Sequence, residues 1–253
     1  SLDQAVGRRL EDFAGARSAS ILVSDITRPA PSHLMLPPLV KRIRELGIRN
    51  LFVVFALGTH RRMTAAEEEY LLKDCICLPH VQHDSKGCVP LGWTERGTPV
   101  EVLEAVASSD LIVATGNIEY HYYAGFSGGA KAILPGVSSE PSVVRNHELM
   151  RDPAATTGNL KSPVRLDMED AARIADLDFI LNTVLNSQKE IVLSTAGDFI
   201  KAHRVGAAAV DRMYRRYVEP AEIVVSCAGG RPKDLNLFQA QKALDNAKNA
   251  ALP

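Results

Sequence analysis

A handful of side chains in this sequence have the types and spacing to act together on one small molecule. Arg28 closes the polar run Asp25-Ile26-Thr27-Arg28-Pro29, and His60 lies in Gly58-Thr59-His60-Arg61. His121 and Lys131 both fall within the segment Gly116–Gly136, GNIEYHYYAGFSGGAKAILPG. A guanidinium can grip a carboxylate or phosphate through paired hydrogen bonds. Two imidazoles that titrate near neutrality can take a proton on one side of a carbon and return one on the other, as a two-base inversion requires. A lysine amine can pair with phosphate or attack an electrophile.

Between His121 and Lys131 stands a small-residue turn, Gly125-Phe126-Ser127-Gly128-Gly129. Glycine permits positive φ and close backbone approach there. Lys131 is expected to open a helix, whose free N–H groups suit an anion. On the residues alone, Ser127, Gly128, Gly129 and Lys131 are candidates for holding a phosphate-bearing ligand. The spacing is neither that of the Walker loop nor that of the dinucleotide fingerprint. The plainer alternative is a strand-to-helix turn followed by a surface lysine.

The elements that must position these groups alternate. Strands are expected at Ala19–Ser24, Leu51–Ala56, Cys75–His80, Leu111–Ala114, Phe179–Leu185, Ile191–Thr195 and Ile223–Ser226. Helices are expected at Leu2–Phe13, along the Leu39, Val40, Ile43, Leu46 stripe, at Ala65–Lys73 behind the Thr64/Glu67 capping box, and from Thr98 to Ser108 behind a second such box. Further helices are expected from Ser139, over Leu166–Ala175, over Phe199–Val218 and over Asn236–Ala250. Pro31, Pro37 and Pro38 read as framing a loop, as does the stretch Arg151 to Arg165. On the helix after Ser139, helical spacing puts Val143, Val144 and His147 on one face; if it is buried, His147 points inward.

This pattern predicts an α/β fold, a mainly parallel sheet flanked by helices, with the start of a second α/β domain. The division expected is residues 1–219 for a cofactor-binding catalytic domain and 220–253 for the opening of the next. Ligands of such sheets bind off the carboxyl ends of the strands. Asp25, Arg28, His60 and His121 all follow expected strands, so they should converge on one edge.

The 253 residues carry 46% hydrophobic content and a net charge of −1, which gives no reason to expect a nucleic-acid partner. No apolar run reaches membrane-span length. Cys75, Cys77, Cys88 and Cys227 do not resemble a secreted disulfide scaffold, so a reducing cytoplasm is the expected home. The group Cys75, Cys77, His80, His83, Cys88 lacks the pair spacing of structural zinc and is discounted. The absence of an initiator Met and the end at Ala-Leu-Pro read as a piece of a longer protein.

Taken together, Asp25-x-Thr27-Arg28-Pro29, Gly58-Thr59-His60-Arg61, the HYYAGFSGGAK…LPG run, Asn146-His147 and Asn236-Leu237-Phe238-Gln239-Ala240-Gln241-Lys242 resemble the nickel-pincer lactate racemases and their relatives acting on other 2-hydroxy acids. The motifs stand in the family's order and cover nearly the whole chain. The resemblance implies a cofactor, the nickel-pincer nucleotide: a pyridinium bisthiocarboxylic acid mononucleotide nickel complex, tethered to Lys131 and completed at nickel by His147, with its phosphate at the glycine turn. It implies His60 and His121 as the acid–base pair and Arg28, Gln239 and Lys242 as substrate contacts. Asp25 and Thr27 would orient Arg28 and the cofactor phosphate. It further implies cofactor-biosynthesis proteins as partners, a small 2-hydroxy acid as substrate, and no nucleic acid or membrane. Tyr120 departs from the proline common in lactate racemases at that position, and with Tyr122 and Tyr123 it is expected to reshape the substrate pocket. The competing readings are a lysine Schiff-base enzyme and a non-catalytic or truncated relative that only binds a mononucleotide.

Overall fold

The structure, a computed structural model, describes residues 1–230, 234 and 237–252, with the side chains of Phe238 and Gln239 left out. Its centre is a six-stranded sheet. The strands of the chain are β1 (Ser18–Ser24), β2 (Asn50–Ala56), β3 (His80–Gln82), β4 (Cys88–Trp93), β5 (Pro99–Leu103), β6 (Leu111–Asn117), β7 (Tyr120–His121), β8 (Gly125–Phe126), β9 (Phe179–Leu185) and β10 (Ile191–Gly197). The central sheet runs in the order β10-β9-β6-β1-β2-β3, and all neighbours are parallel except the β9–β10 hairpin. The chain builds outward from β1 through β2 to β3, then returns to the other side of β1 to lay down β6 and β9. The order therefore reverses between β1 and β6, and a parallel sheet leaves a crevice beyond its carboxyl ends at such a point.

The helices are α1 (Ser32–Glu45), α2 (Ala65–Leu72), α3 (Glu104–Ala107), α4 (Glu140–Glu148), α5 (Pro163–Ile174), α6 (Lys201–Tyr214) and α7 (Leu237–Ala247). Both sheet faces are covered, which is why β1, β2 and β6 read as continuous apolar runs. On one face Ile21, Val23, Val53, Phe55, Leu111 and Val113 meet Leu36, Leu39 and Ile43 of α1 and Leu71 and Leu72 of α2. On the other, Leu22, Val54, Ile112 and Ala114 meet Ile133, Val143, Val164 and Met168. The expected α/β architecture is the one observed.

Several boundaries and assignments differ from expectation. Leu2–Phe13 is not one helix but two 3-10 turns, Leu2–Gln4 and Leu10–Phe13. Gly7 at φ +84° breaks the segment, and Val6 bridges to Gly197 beside β10. Pro37 and Pro38 lie inside α1; each lacks a donor, and the helix tolerates both because the carbonyls they leave unpaired belong to His33 and Leu34, near the surface. Cys75–His80 is not a strand: a 3-10 turn, Lys73–Cys75, ends at Cys75, turn and bend follow, and the edge strand starts only at His80. The Thr98–Glu101 box caps no helix. Pro99–Leu103 is a strand, with Val100 and Val102 buried at period two, and Thr98 Oγ1 donates instead to Asp167 (2.8 Å). α5 begins at Pro163, so Arg165 is helical. Phe199–Val218 contracts to α6. Ile223–Ser226 is not a strand: Ile223 and Val225 stand exposed, and no described strand lies alongside to complete the ladder.

Candidate active site

The carboxyl ends of β1, β2 and β6 carry Asp25, the Leu57–His60 turn and the segment from Ile118 onward, as expected. Asp25 is buried. Its Oδ2 accepts from His60 Nδ1 (2.8 Å) and its Oδ1 from the Thr27 N–H (2.7 Å). Burial alone would raise the carboxyl's pKa, but the bonds from His60 and Thr27 outweigh it and hold Asp25 below its ordinary value. The charged carboxylate fixes the His60 proton on Nδ1 and leaves Nε2 as the free lone pair. Arg28 Nη2 lies 3.4 Å from that Nε2. Asp25, expected to serve Arg28 and a cofactor phosphate, is thus spent on His60 and the Thr27 backbone. The His60 loop is itself pinned: Gly58, at φ +57°, donates its N–H to Gly136 O (2.8 Å), which ties the loop to the Leu134-Pro135-Gly136 end of the long motif.

His121 ends β7. Its Nδ1 accepts the Ala124 N–H (3.3 Å), which puts the proton of the neutral ring on Nε2. Burial first, then the charges of Lys131, Arg28, Arg165 and Lys242, push its pKa well below the ordinary value. Tyr122 stacks on the ring (5.1 Å between centroids) and Tyr123 meets it edge-on (4.5 Å). Tyr120 points elsewhere: its hydroxyl donates to Asp211 on α6 (2.6 Å) and its ring lies against Phe126. Neighbouring residues of a strand face opposite ways. The expected reshaping by Tyr120 is therefore not seen at the ring of His121, where Tyr122 and Tyr123 stand.

Lys131 sits in a 3-10 turn, Gly129–Ala132, rather than at the head of an α-helix. Its ammonium lies 5.7 Å from the centre of the Tyr123 ring. Burial, then the charges of Arg28, Arg165 and Lys242, drive its pKa well down, toward a neutral amine that can act as a nucleophile. The glycine turn before it is packed rather than open. Ser127 Oγ donates to Asn117 O (2.7 Å) and accepts from the Glu119 N–H (2.9 Å); the Gly129 N–H donates to Asn182 Oδ1 (2.8 Å). A Cβ on Gly129 would come within 2.9 Å of His203, and one on Gly128 within 2.8 Å of Asn182. An anion held by Ser127 or Gly129 would have to displace these bonds.

His147 lies on α4, with Ser139 as the helix cap. Val143 is buried and Val144 exposed, so His147 shares its inward side with Val143 and not with Val144. Asn146, beside it, anchors the helix by donating to Asp167 Oδ2 (2.8 Å) and Val164 O (3.2 Å). His147 Nε2 is buried and has no hydrogen-bond partner among the described residues. Burial, then the Lys131 charge, lowers its pKa to about 4. A neutral imidazole with an unpaired buried nitrogen, near an amine of lowered pKa, fits a group that needs a nickel ligand and a covalent anchor. Lys242, on α7, acts by charge on both His121 and Lys131. The side chain of Gln239 and the position of Asn236 lie outside the described residues.

Sequence reasoning passed over the layer beneath. Arg165, fully buried, donates to the carbonyls of Ala124 (3.4 Å), Gly128 (3.2 Å) and Phe126. His203 of α6 donates through Nε2 to Ser127 O (2.8 Å), and Arg204 pairs through two bonds with Glu169. An arginine in an apparent loop and an i,i+1 His-Arg pair offer no spacing to mark them.

Residues 1–158 match the family described as the lactate racemase N-terminal domain. The chain is 37% identical to the lactate racemase of Lactiplantibacillus plantarum, over 98% of this chain and 61% of that protein. It is equally identical to the lactate racemase of Thermoanaerobacterium thermosaccharolyticum, over 96% and 60%. The structure of the lactate racemase apoprotein from the latter organism superposes with a TM-score of 0.95, at 37% identity, covering 99% of this chain and 63% of that one. A Thermotoga maritima protein shares the fold at a TM-score of 0.71 and 21% identity, over 83% of this chain and 58% of its own. The chain thus spans about three fifths of the length of the curated relatives it matches.

Proposed function

Because the chain belongs to the lactate racemase family, we propose that it carries the catalytic centre of an isomerase that inverts C2 of a small 2-hydroxy acid. The observation that carries this reading is the reach of Arg28, which lies 3.4 Å from His60 Nε2 and acts by charge on His121. A carboxylate gripped by Arg28 would bring the adjacent hydroxyl within range of both imidazoles. His60, its Nδ1–H held by Asp25, offers an unprotonated Nε2 to accept the hydroxyl proton once Arg28 turns from it to the carboxylate. His121, its Nδ1 occupied by the Ala124 N–H, offers a proton on Nε2 for return to the oxygen. The two opposite tautomers suit one proton taken and one given. Tyr122 and Tyr123 shield His121 from water, and Lys242 would add a substrate contact from the segment after residue 220, the proposed opening of a second domain.

Lys131 and His147 would hold the nickel-pincer nucleotide, Lys131 through its amine and His147 through Nε2. When bound, that group would supply the hydride acceptor and donor for C2. We assign the glycine turn chiefly to setting Lys131, since Ser127 and Gly129 have other partners, and Asp25 with Thr27 to the His60 side. Cofactor-building proteins are the implied partners, and the cytoplasm the implied location. A lysine Schiff-base enzyme would use the same neutral amine. It would leave the unpaired Nε2 of His147 without a task, which favours the racemase.

The test is intact-protein mass and nickel content, with the chain produced with and without cofactor-building partners. An adduct on Lys131 with about one nickel per chain, as a single site demands, supports the reading. Lys131→Ala should carry neither, while His60→Ala and His121→Ala should load and fail to turn over. Absence of adduct and nickel in the presence of functional partners overturns it.

A further inference from the structure

The link from His121 to Lys131 is a short loop whose carbonyls turn inward at alternate residues. Those of Ala124, Phe126 and Gly128 all meet one guanidinium, that of Arg165, which has no solvent exposure. Gly128 O is shared: it accepts from Arg165 Nη1 (3.2 Å) and from the backbone N–H of Lys131 (3.4 Å). Only arginine has the planar fork of donors to hold three carbonyls together; a lysine presents a single compact charge. Arg165 therefore touches the backbone on which both His121 and Lys131 depend.

We propose that Arg165 is the positioning residue of the site: its buried guanidinium clamps this loop through three carbonyls and sets a permanent positive charge at the carbonyl that also takes the Lys131 N–H. After burial and Arg28, that charge is the next cause that disfavours the ammonium form of Lys131. Arg28 also acts on Lys131, but Arg28 is exposed, so solvent screens it and a bound carboxylate would neutralise it. The Arg165 charge is buried. It faces carbonyl dipoles and Glu169, and Glu169 is already paired with Arg204. The charged and titratable groups around Lys131 are Arg28, Arg165, Lys242 and Glu119, together with His121, His147 and the Tyr123 ring. Of these, Glu119 and the face of the Tyr123 ring favour the ammonium, and burial with the cations outweighs them. The proposal rests on Lys131 being the cofactor's anchor, but its test needs no cofactor.

The experiment is competitive labelling of the cofactor-free full chain with trace acetic anhydride across pH, read lysine by lysine by peptide mass. The surface residue Lys41, with 77% of its side chain exposed, is the internal reference. The midpoint of each labelling curve reports protonation independently of access. In the wild type the Lys131 midpoint should fall at least a pH unit below that of Lys41, which is about a tenfold larger neutral fraction. Arg165→Gln should move it up toward Lys41, and Arg165→Lys, which restores the charge, should bring it back. A folded Arg165→Gln chain with the wild-type midpoint overturns the proposal, as does a shift seen in Arg28→Gln only. If Arg165→Gln does not fold, Arg165→Lys decides: a low midpoint supports the proposal and a Lys41-like midpoint overturns it. Any of these failures leaves the racemase reading standing, because that reading falls only with the missing adduct.

Discussion

Replacing Asp25 by Asn isolates the pairing proposed to make His60 a base. The change keeps size and leaves one carbonyl oxygen to accept the Thr27 N–H, now 2.7 Å from Oδ1. It removes the carboxylate oxygen 2.8 Å from His60 Nδ1 and can place an amide N–H there instead. Two N–H groups cannot face each other, so His60 would turn to the Nε2–H tautomer, and the lone pair expected to take the substrate proton disappears. A hydrogen bond to a charged group is worth about 1.5–3 kcal/mol. Losing 2–3 kcal/mol of that from the transition state slows turnover by about 30- to 150-fold. The assay is racemisation of lactate by nickel-loaded protein, followed with an enantiomer-specific dehydrogenase and normalised to nickel content. In parallel, nitrogen-15 shifts of His60 in the unloaded chain report the tautomer, which a purely structural role for Asp25 would not alter. A loaded Asp25→Asn chain at the wild-type rate, or a His60 that keeps its proton on Nδ1, refutes the reasoning.

Three further outcomes follow from the geometry. His203 is buried, and that burial, ahead of the Arg165 charge, holds its pKa well below the ordinary value. The unfolded ring takes a proton below about pH 6.5 that the folded ring refuses, so stability is lost as pH falls from there, by up to about 1.4 kcal/mol per unit for one group. His203→Gln, which can still donate to Ser127 O, should flatten the loss seen in urea midpoints between pH 7 and 5.5; an unchanged slope rules His203 out as a contributor. Gly125 has φ +75° and a Cβ there would lie 2.2 Å from Asn159 O, whereas Gly15, at φ +115°, has open space. Gly15→Ala should cost about 1 kcal/mol from backbone strain alone, and Gly125→Ala at least about 3 kcal/mol; equal costs by chemical denaturation would contradict the packing. Asn146→Ala removes two buried hydrogen bonds, one to the Asp167 carboxylate, and should cost about 2–3 kcal/mol. A variant as stable as the wild type would mean that α4 is held by its apolar contacts alone.

The composition and order of the residues determined much of this protein without reference to any contact. Short apolar runs such as Leu51–Ala56 and Leu111–Ala114 read as strands covered on both faces, and their alternation with helical stripes points to a parallel sheet. A parallel sheet in turn places whatever follows its strands at one edge, so Asp25, Arg28, His60 and His121 were legible as a group. Local rules failed where tertiary pairing overrode them. Pro99–Leu103 had a capping-box sequence and became a strand because β4 offered a partner, while Ile223–Ser226 had a strand's composition and no described neighbour. Asp25 could be placed near the site from the sequence, but the choice of His60 as its partner depends on the distance between two loops after β1 and β2. The support beneath Lys131 lay wholly beyond reach. Arg165 and His203 come from helices far along the chain, and their bonds go to backbone carbonyls, which every residue possesses and no residue type advertises. Sequence periodicity reports which face of an element is apolar; which buried polar group meets which carbonyl is settled only when the elements pack.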